Sequence, residues 1–175
     1  MLVRGEEYKN LKSKDRVVTG DSILIFVQPF SNLYAYVIYS GNESAQLLNY
    51  QIPFKPNKLK IGTDDTLLLP SKNHLYVFDD KNSYAEFTIV CSLNNIPEFD
   101  SLFQNNQKTS RESWNIAEDK FLGGYPNSIN EKYEKPISIA GNVRGKNIGE
   151  FLNKQPIFQG EETIIRNYKL EIKKK

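Results

Sequence analysis

Thr163-Ile164-Ile165-Arg166-Asn167-Tyr168-Lys169-Leu170-Glu171-Ile172 holds the clearest alternation in the chain. Successive side chains of an extended strand point to opposite faces. Ile164, Tyr168, Leu170 and Ile172 therefore share one face with Arg166 among them, and Thr163, Asn167, Lys169 and Glu171 share the other. A strand this regular, arriving after a long excursion, needs an open sheet edge to pair with. It is expected to complete a sheet begun early in the chain.

The first 92 residues supply that sheet as short strands between turn signals. Gly20-Asp21 precedes Ser22 to Gln28, a run rich in residues that suit a pleated, buried surface, and Pro29 ends it. Leu33 to Tyr39 is apolar or aromatic throughout, which marks a central strand covered on both faces. Ser40-Gly41-Asn42 turns it back into a third strand, Ala45 to Tyr50, as a hairpin. Residues 51–65, with Pro53, Pro56 and Gly62, read as a surface loop crossing between sheets. Strands follow at Thr66 to Leu69, His74 to Phe78 and Tyr84 to Cys91. The last puts Ala85, Phe87, Ile89 and Cys91 toward the core, and Glu86 and Thr88 toward water or a partner.

After Cys91 the periodicity changes. Ile96-Pro97 opens a short helix with acids in its first turn and Phe99, Leu102 and Phe103 at helical spacing. Residues 104–145 read as a long polar insertion with a helical turn near 113–120 and an extended piece at 136–140. A second short helix is expected over 146–154. About seven strands, with turns roughly every 8 to 12 residues, favour an antiparallel sandwich over a fold of parallel crossovers. The expectation is one mainly-β domain over 1–175, an immunoglobulin-like or similar β-sandwich. The insertion takes 104–145, and a short helix and closing strand take 146–175.

One Cys cannot close an intrachain disulfide, and one His with one Cys cannot build a conventional zinc site. No metal or other cofactor is expected. The net charge of +2 is far from that of a domain living on nucleic-acid phosphates, so no nucleic-acid partner is expected either. Charge is uneven: residues 1–100 carry 10 basic and 12 acidic groups, residues 101–175 carry 13 and 9, and the excess includes the terminal Lys173-Lys174-Lys175. No run approaches the roughly 18 apolar residues of a membrane span. Met1 to Glu7 lacks the basic start and apolar middle of a signal peptide. An export or lipid-anchor segment trimmed ahead of it would place the protein in the periplasm or cell envelope; otherwise it is cytoplasmic.

Over roughly residues 8–103 the order of features resembles the bacterial domain of unknown function 4384 family. The matching residues are Gly20-Asp21 before an apolar strand, Tyr34-x-Tyr36, Gly41 in a tight turn, Leu47-Leu48-Asn49, Ile61 ahead of Leu67-Leu68-Leu69-Pro70, and the strands at 75–78 and 85–90 before Ile96-Pro97. The chain departs from the family at Tyr50 and at Asp79 to Ser83, where the family often carries a Pro and a Pro-Gly turn. The resemblance implies a β-sandwich module, often envelope-associated, lipid-anchored or appended to peptidase or kinase domains, and it brings no catalytic residues.

Residue by residue, no catalytic constellation forms. His74 lacks a spaced carboxylate and nucleophile, and Cys91 lies on an apolar face that makes a thiol inert. Asp64-Asp65 and Asp79-Asp80 read as solvated turns, because neighbouring side chains of an extended chain point apart. Gly123-Gly124-Tyr125-Pro126 lacks the Lys-Ser/Thr of a phosphate loop and reads as a loop pivot. Aromatic residues, 12% of the chain, exceed what these strands need. Trp114 and Tyr125 fall in polar sequence with no strand face to explain them, and with Arg144 they form the candidate contact site. The functional expectation is a non-enzymatic accessory or interaction module for a protein or cell-envelope component. The alternatives are a polysaccharide-binding sandwich with exposed ring platforms and, behind it, a carboxylate-dependent hydrolase.

Overall fold

β-branched and aromatic runs become strands wherever a second run lies within pairing distance. A computed structural model describes residues 1–4, 7–71, 73–124, 157–158 and 162–174. In chain order the strands are β1 (Leu2–Arg4), β2 (Glu7–Lys9), β3 (Arg16–Val18), β4 (Ser22–Ile23), β5 (Ile25–Val27), β6 (Leu33–Ser40), β7 (Ser44–Leu47), β8 (Lys60–Ile61), β9 (Leu67–Leu69), β10 (Tyr76–Val77), β11 (Tyr84–Ser92), β12 (Lys108–Ser110) and β13 (Thr163–Lys173). The helices are α1 (Pro97–Phe103) and α2 (Arg111–Gly124).

The fold is mainly β and sandwich-like, with antiparallel sheets. The main sheet runs β12-β7-β6-β11-β13-β3, with β8 added beside the start of β6. The closing strand joins as expected, but inside the sheet. β13 pairs antiparallel with all of β11, from Tyr84↔Glu171 to Ser92↔Thr163, and parallel with β3 on its other edge. β6 is central, between β7 and β11. Its ladder continues past β7 because the Asn49 side chain accepts from Val37 N–H and donates to Ala35 C=O.

Smaller sheets, β10-β4-β1-β2 and β5-β9, form a second layer. Here the sequence reading needs correction. Ser22 to Gln28 is not one strand with one set of partners: β4 pairs with β1 and β10, and β5 pairs with β9. Gly20 makes the entry turn at φ +91°, where L side chains are strained. Asp21 then anchors that turn, accepting from Val18 N–H and from the Arg4 guanidinium.

Period-two alternation sends each main strand's residues to two cores. Val37, Phe87, Leu170 and Ile172 pack with Ile23, Ile25 and Val17 toward the small sheets. Tyr36, Ile38, Val90 and Ile165 face the other way and are covered by Phe99 and Phe103 of α1 and Trp114 of α2. The face of β11 carrying Glu86 and Thr88, expected to meet water or a partner, is thus buried beneath helices. Residues 51–65 likewise do not simply cross between sheets: Leu59 is buried against the helical side, and β8 pairs with β6.

The reading of 104–145 as a loop is overturned for its first part. Thr109 and its neighbours pair with β7, and α2 is a full helix rather than a turn. Ser110 starts it, its Oγ accepting from Ser113 N–H. Gly123-Gly124 closes the helix instead of acting as a loop pivot. The pieces expected at 136–140 and 146–154 lie outside the described residues.

Candidate functional site

Trp114 is not a surface contact. It is fully buried, with ring centroids 5.2 Å from Phe99 and 6.1 Å from Phe103. Helical spacing, not loop exposure, explains it: Trp114, Phe121 and Leu122 fall on the side of α2 that packs on the sheet. Tyr125 and Arg144 lie outside the described residues, so the proposed trio is not brought together among them.

What the fold does create is a groove of about 930 Å³ between the small-sheet layer and the inner face of the main sheet. Ile25 and Val27 of β5 line one side, and Ile89 and Cys91 of β11 with Ile164 and Tyr168 of β13 line the other. Phe30, 78% exposed, and Ile157, 54% exposed, border it. Arg166, the charged member of the closing strand's apolar face, also reaches the groove and stacks on Phe158 with its guanidinium carbon 4.0 Å from the ring centroid. Among the described lining residues there is neither a carboxylate nor an imidazole. The groove therefore offers apolar surface and a few polar tips, the usual make-up of a binding site, without a general acid–base pair.

Cys91 is half-buried in this wall rather than sealed in the core. Burial pushes its thiol up to about 11 from an ordinary 9.0. At pH 8 that lowers the reactive thiolate fraction roughly 100-fold. A more basic thiolate is also the better nucleophile, so Ellman's reagent should modify the folded protein about tenfold more slowly than the chain in denaturant. Equal rates would mean that the thiol is not held in this apolar wall.

His74 stands exposed on a tight turn, with Nδ1 2.7 Å from Ser71 Oγ. The sequence reading missed this partner. No carboxylate joins the pair among the described residues, and neither residue borders the groove. Asp65 accepts from Gly62 N–H and Asp79 from Lys81 N–H, so both serve their own exposed turns. Among the described residues no group of three or more His, Cys, Asp or Glu could hold a metal ion, and no helix is long and apolar enough to cross a membrane.

A second polar constellation, hidden from sequence reading, lies where α2 meets the sheet. Glu86 is 2% exposed, and its carboxylate accepts from Arg111 and, at 2.6 Å, from Asn167 Nδ2. Lys169 Nζ stands 3.3 Å away. Thr88 Oγ1 donates to Glu118 Oε1 at 2.7 Å, and Asn167 bridges the two acids. Burial alone would raise Glu86, but hydrogen bonds from Arg111 and Asn167 and the charges of Arg111 and Lys169 outweigh it and hold its carboxyl below the usual value. Glu118 moves the opposite way: burial, helped by repulsion from Glu86, raises it despite the Thr88 hydrogen bond. Acids driven apart in this way can mark an acid–base pair, yet none of these residues borders the groove. They join helix to sheet. Compared with models of protein families, with curated proteins and with solved structures, the chain finds no match in any of the three.

Proposed function

We propose that this chain is a non-enzymatic binding module whose inter-layer groove receives an apolar segment of a protein partner. The observation that carries the reading is the groove itself: apolar walls from both layers, at a volume typical of ligand sites. Phe30 and Ile157 extend the apolar surface outward, as anchors at a partner interface do. The polysaccharide alternative has less to draw on, because Trp114, the strongest ring platform, is in the core. The hydrolase alternative needs two acids facing a cleft; Asp65 and Asp79 hold their own turns, and Glu86 of β11 and Glu118 of α2 are buried where that helix meets the sheet.

Titration with an environment-sensitive anilinonaphthalene dye tests the site. The native protein should bind one equivalent with a rise in emission, and Ile89→Glu and Ile164→Glu should each weaken binding about tenfold or more by placing a charge in the apolar wall. Trp114 emission serves as the control for folding, since it reports from the opposite face of the main sheet. A rise that persists undiminished in both folded variants would put the dye elsewhere and remove the groove as the site.

A further inference from the structure

Between β7 and β8 the chain makes a loop, Tyr50-Gln51-Ile52-Pro53-Phe54-Lys55-Pro56-Asn57-Lys58-Leu59, that is fixed at both feet. At the first foot the Tyr50 and Phe54 rings stack, with centroids 5.1 Å apart and planes 7° apart. Both rings pack against the helical-side core, and Tyr50 Oη donates to Gln104 C=O. At the second foot a single 3-10 turn, Pro56–Leu59, buries Leu59 in the same core, and Lys60–Ile61 then pairs with β6.

The tip held between these feet faces outward. Ile52 is 89% exposed, more than any other large apolar side chain among the described residues, and Gln51 and Pro53 are exposed on either side of it. Lys55, Lys58 and Lys60 follow, all exposed, and no acid occurs between Glu43 and Asp64. A lone exposed isoleucine is ordinary on a protein surface. Here it stands on a stacked aromatic base, and the only charges nearby in the chain are cations. Apolar tip, ring pair and lysines are the parts that suit the boundary of an anionic bilayer: aromatic rings sit at headgroup level, and lysines meet lipid charge. A protein interface suits them less. Lysine is depleted at such interfaces, and Ile52 with Pro53 offers far less than the roughly 800 Å² that each partner of a standard one buries. None of residues 50–60 lines the groove, so this surface is separate from the site described above.

We propose that the loop docks the protein on an anionic lipid bilayer. Ile52 and Pro53 enter the boundary between headgroups and acyl chains, while Lys55, Lys58 and Lys60 lie against the anionic headgroups. The stacked rings and buried Leu59 hold the tip in place, so little order has to be gained on docking.

Flotation of the full chain with vesicles tests this. Vesicles of equimolar phosphatidylglycerol and phosphatidylcholine should carry the protein, and phosphatidylcholine alone should bind it about tenfold or more weakly. Ile52→Ser should weaken binding about tenfold, and Lys55→Gln, Lys58→Gln and Lys60→Gln about fivefold each. The doubly substituted Lys12→Gln, Lys14→Gln protein is the comparison for diffuse charge, because that turn bonds to β13 at the far edge of the main sheet from the loop. It should bind like the native protein. All these positions are exposed, and Trp114 emission checks that each variant is folded. Brominated lipid should quench the added tryptophan of Ile52→Trp and leave the buried Trp114 of the native protein unaffected. Failure to float with anionic vesicles would overturn the proposal, as would equal losses from the Lys12, Lys14 pair and the loop lysines, or an unquenched Ile52→Trp. A dimer that Ile52→Ser dissociates, with no vesicle binding, would give the tip to a second copy of the chain and likewise overturn it. Dye binding in the groove should be the same in Ile52→Ser as in the native protein, which keeps the two sites distinguishable.

Discussion

Trp114→Ala should cost about 3 to 5 kcal/mol of folding free energy, the range for emptying a buried aromatic site. For a domain of this size each kcal/mol lowers Tm by roughly 2–4 °C, and total stabilities are only about 5 to 15 kcal/mol. Much of the protein's stability would go with this one side chain. The expectation rests on contact: the indole packs on Phe99 and Phe103 of α1 and shares a core with Val90 and Ile165 of the sheet. Trp114→Phe should lose clearly less. It keeps most of the buried area and removes an indole N–H that has no hydrogen-bond partner among the described residues. The native protein should emit from a dry tryptophan and shift red on unfolding, a clean signal because the chain has one Trp. Urea unfolding of the three proteins decides the matter. A Trp114→Ala midpoint within error of the native one would show that the indole is not core.

The reason Trp114 misled lies in the helix stripe. Trp114, Phe121 and Leu122 have helical spacing, but the i+4 position holds Glu118, and polar Asn115 and Asp119 directly follow Trp114 and Glu118. A carboxylate at a core position breaks the apolar period that identifies a helix. The same limit applies to β11. Glu86 and Thr88 alternate with apolar residues just as they would on a wet face; only the helix arriving from later in the chain decides that they are buried. β6 was legible because its residues are apolar on both faces, and β13 because its alternation is unbroken from Asn167 to Ile172. The partner change at Leu24 was not, since it is set by β1 and β9 rather than by anything within Ser22 to Val27. The groove depends on that change. It was beyond reach of a reading that took 22–28 as one strand, although Arg166 within an apolar face was a visible sign that this face is not wholly sealed.

Glu86→Gln and Glu118→Gln should move stability in opposite directions, with opposite dependence on pH. In the native fold Glu86 is held below its ordinary 4.5. Its contribution is therefore present above that value and lost as pH falls through the folded pKa. At pH 7, Glu86→Gln leaves the Arg111 guanidinium, itself largely covered, without its anion. A loss of about 3 kcal/mol is expected, the lower end for breaking a buried pair because Arg111 is 18% exposed. The deficit should shrink in acid, where the native protein has lost the same charge. Glu118 is raised above 4.5, so the fold favours its protonated form. That contribution is full below the ordinary value and lost as pH rises through the folded pKa. Glutamine retains an acceptor for Thr88 and carries no charge to oppose Glu86. Glu118→Gln should match the native protein in acid and gain about 1 kcal/mol on it once Glu118 would be ionised. Among the described residues the charged groups that enter this sign are Arg111 beside Glu118 on α2, Lys169 on β13, and the acids on each other. Tm measured from about pH 3 to pH 9 for the three proteins checks it. Curves that stay parallel across that range would show that the two carboxyls are not the oppositely shifted pair that joins α2 to the sheet.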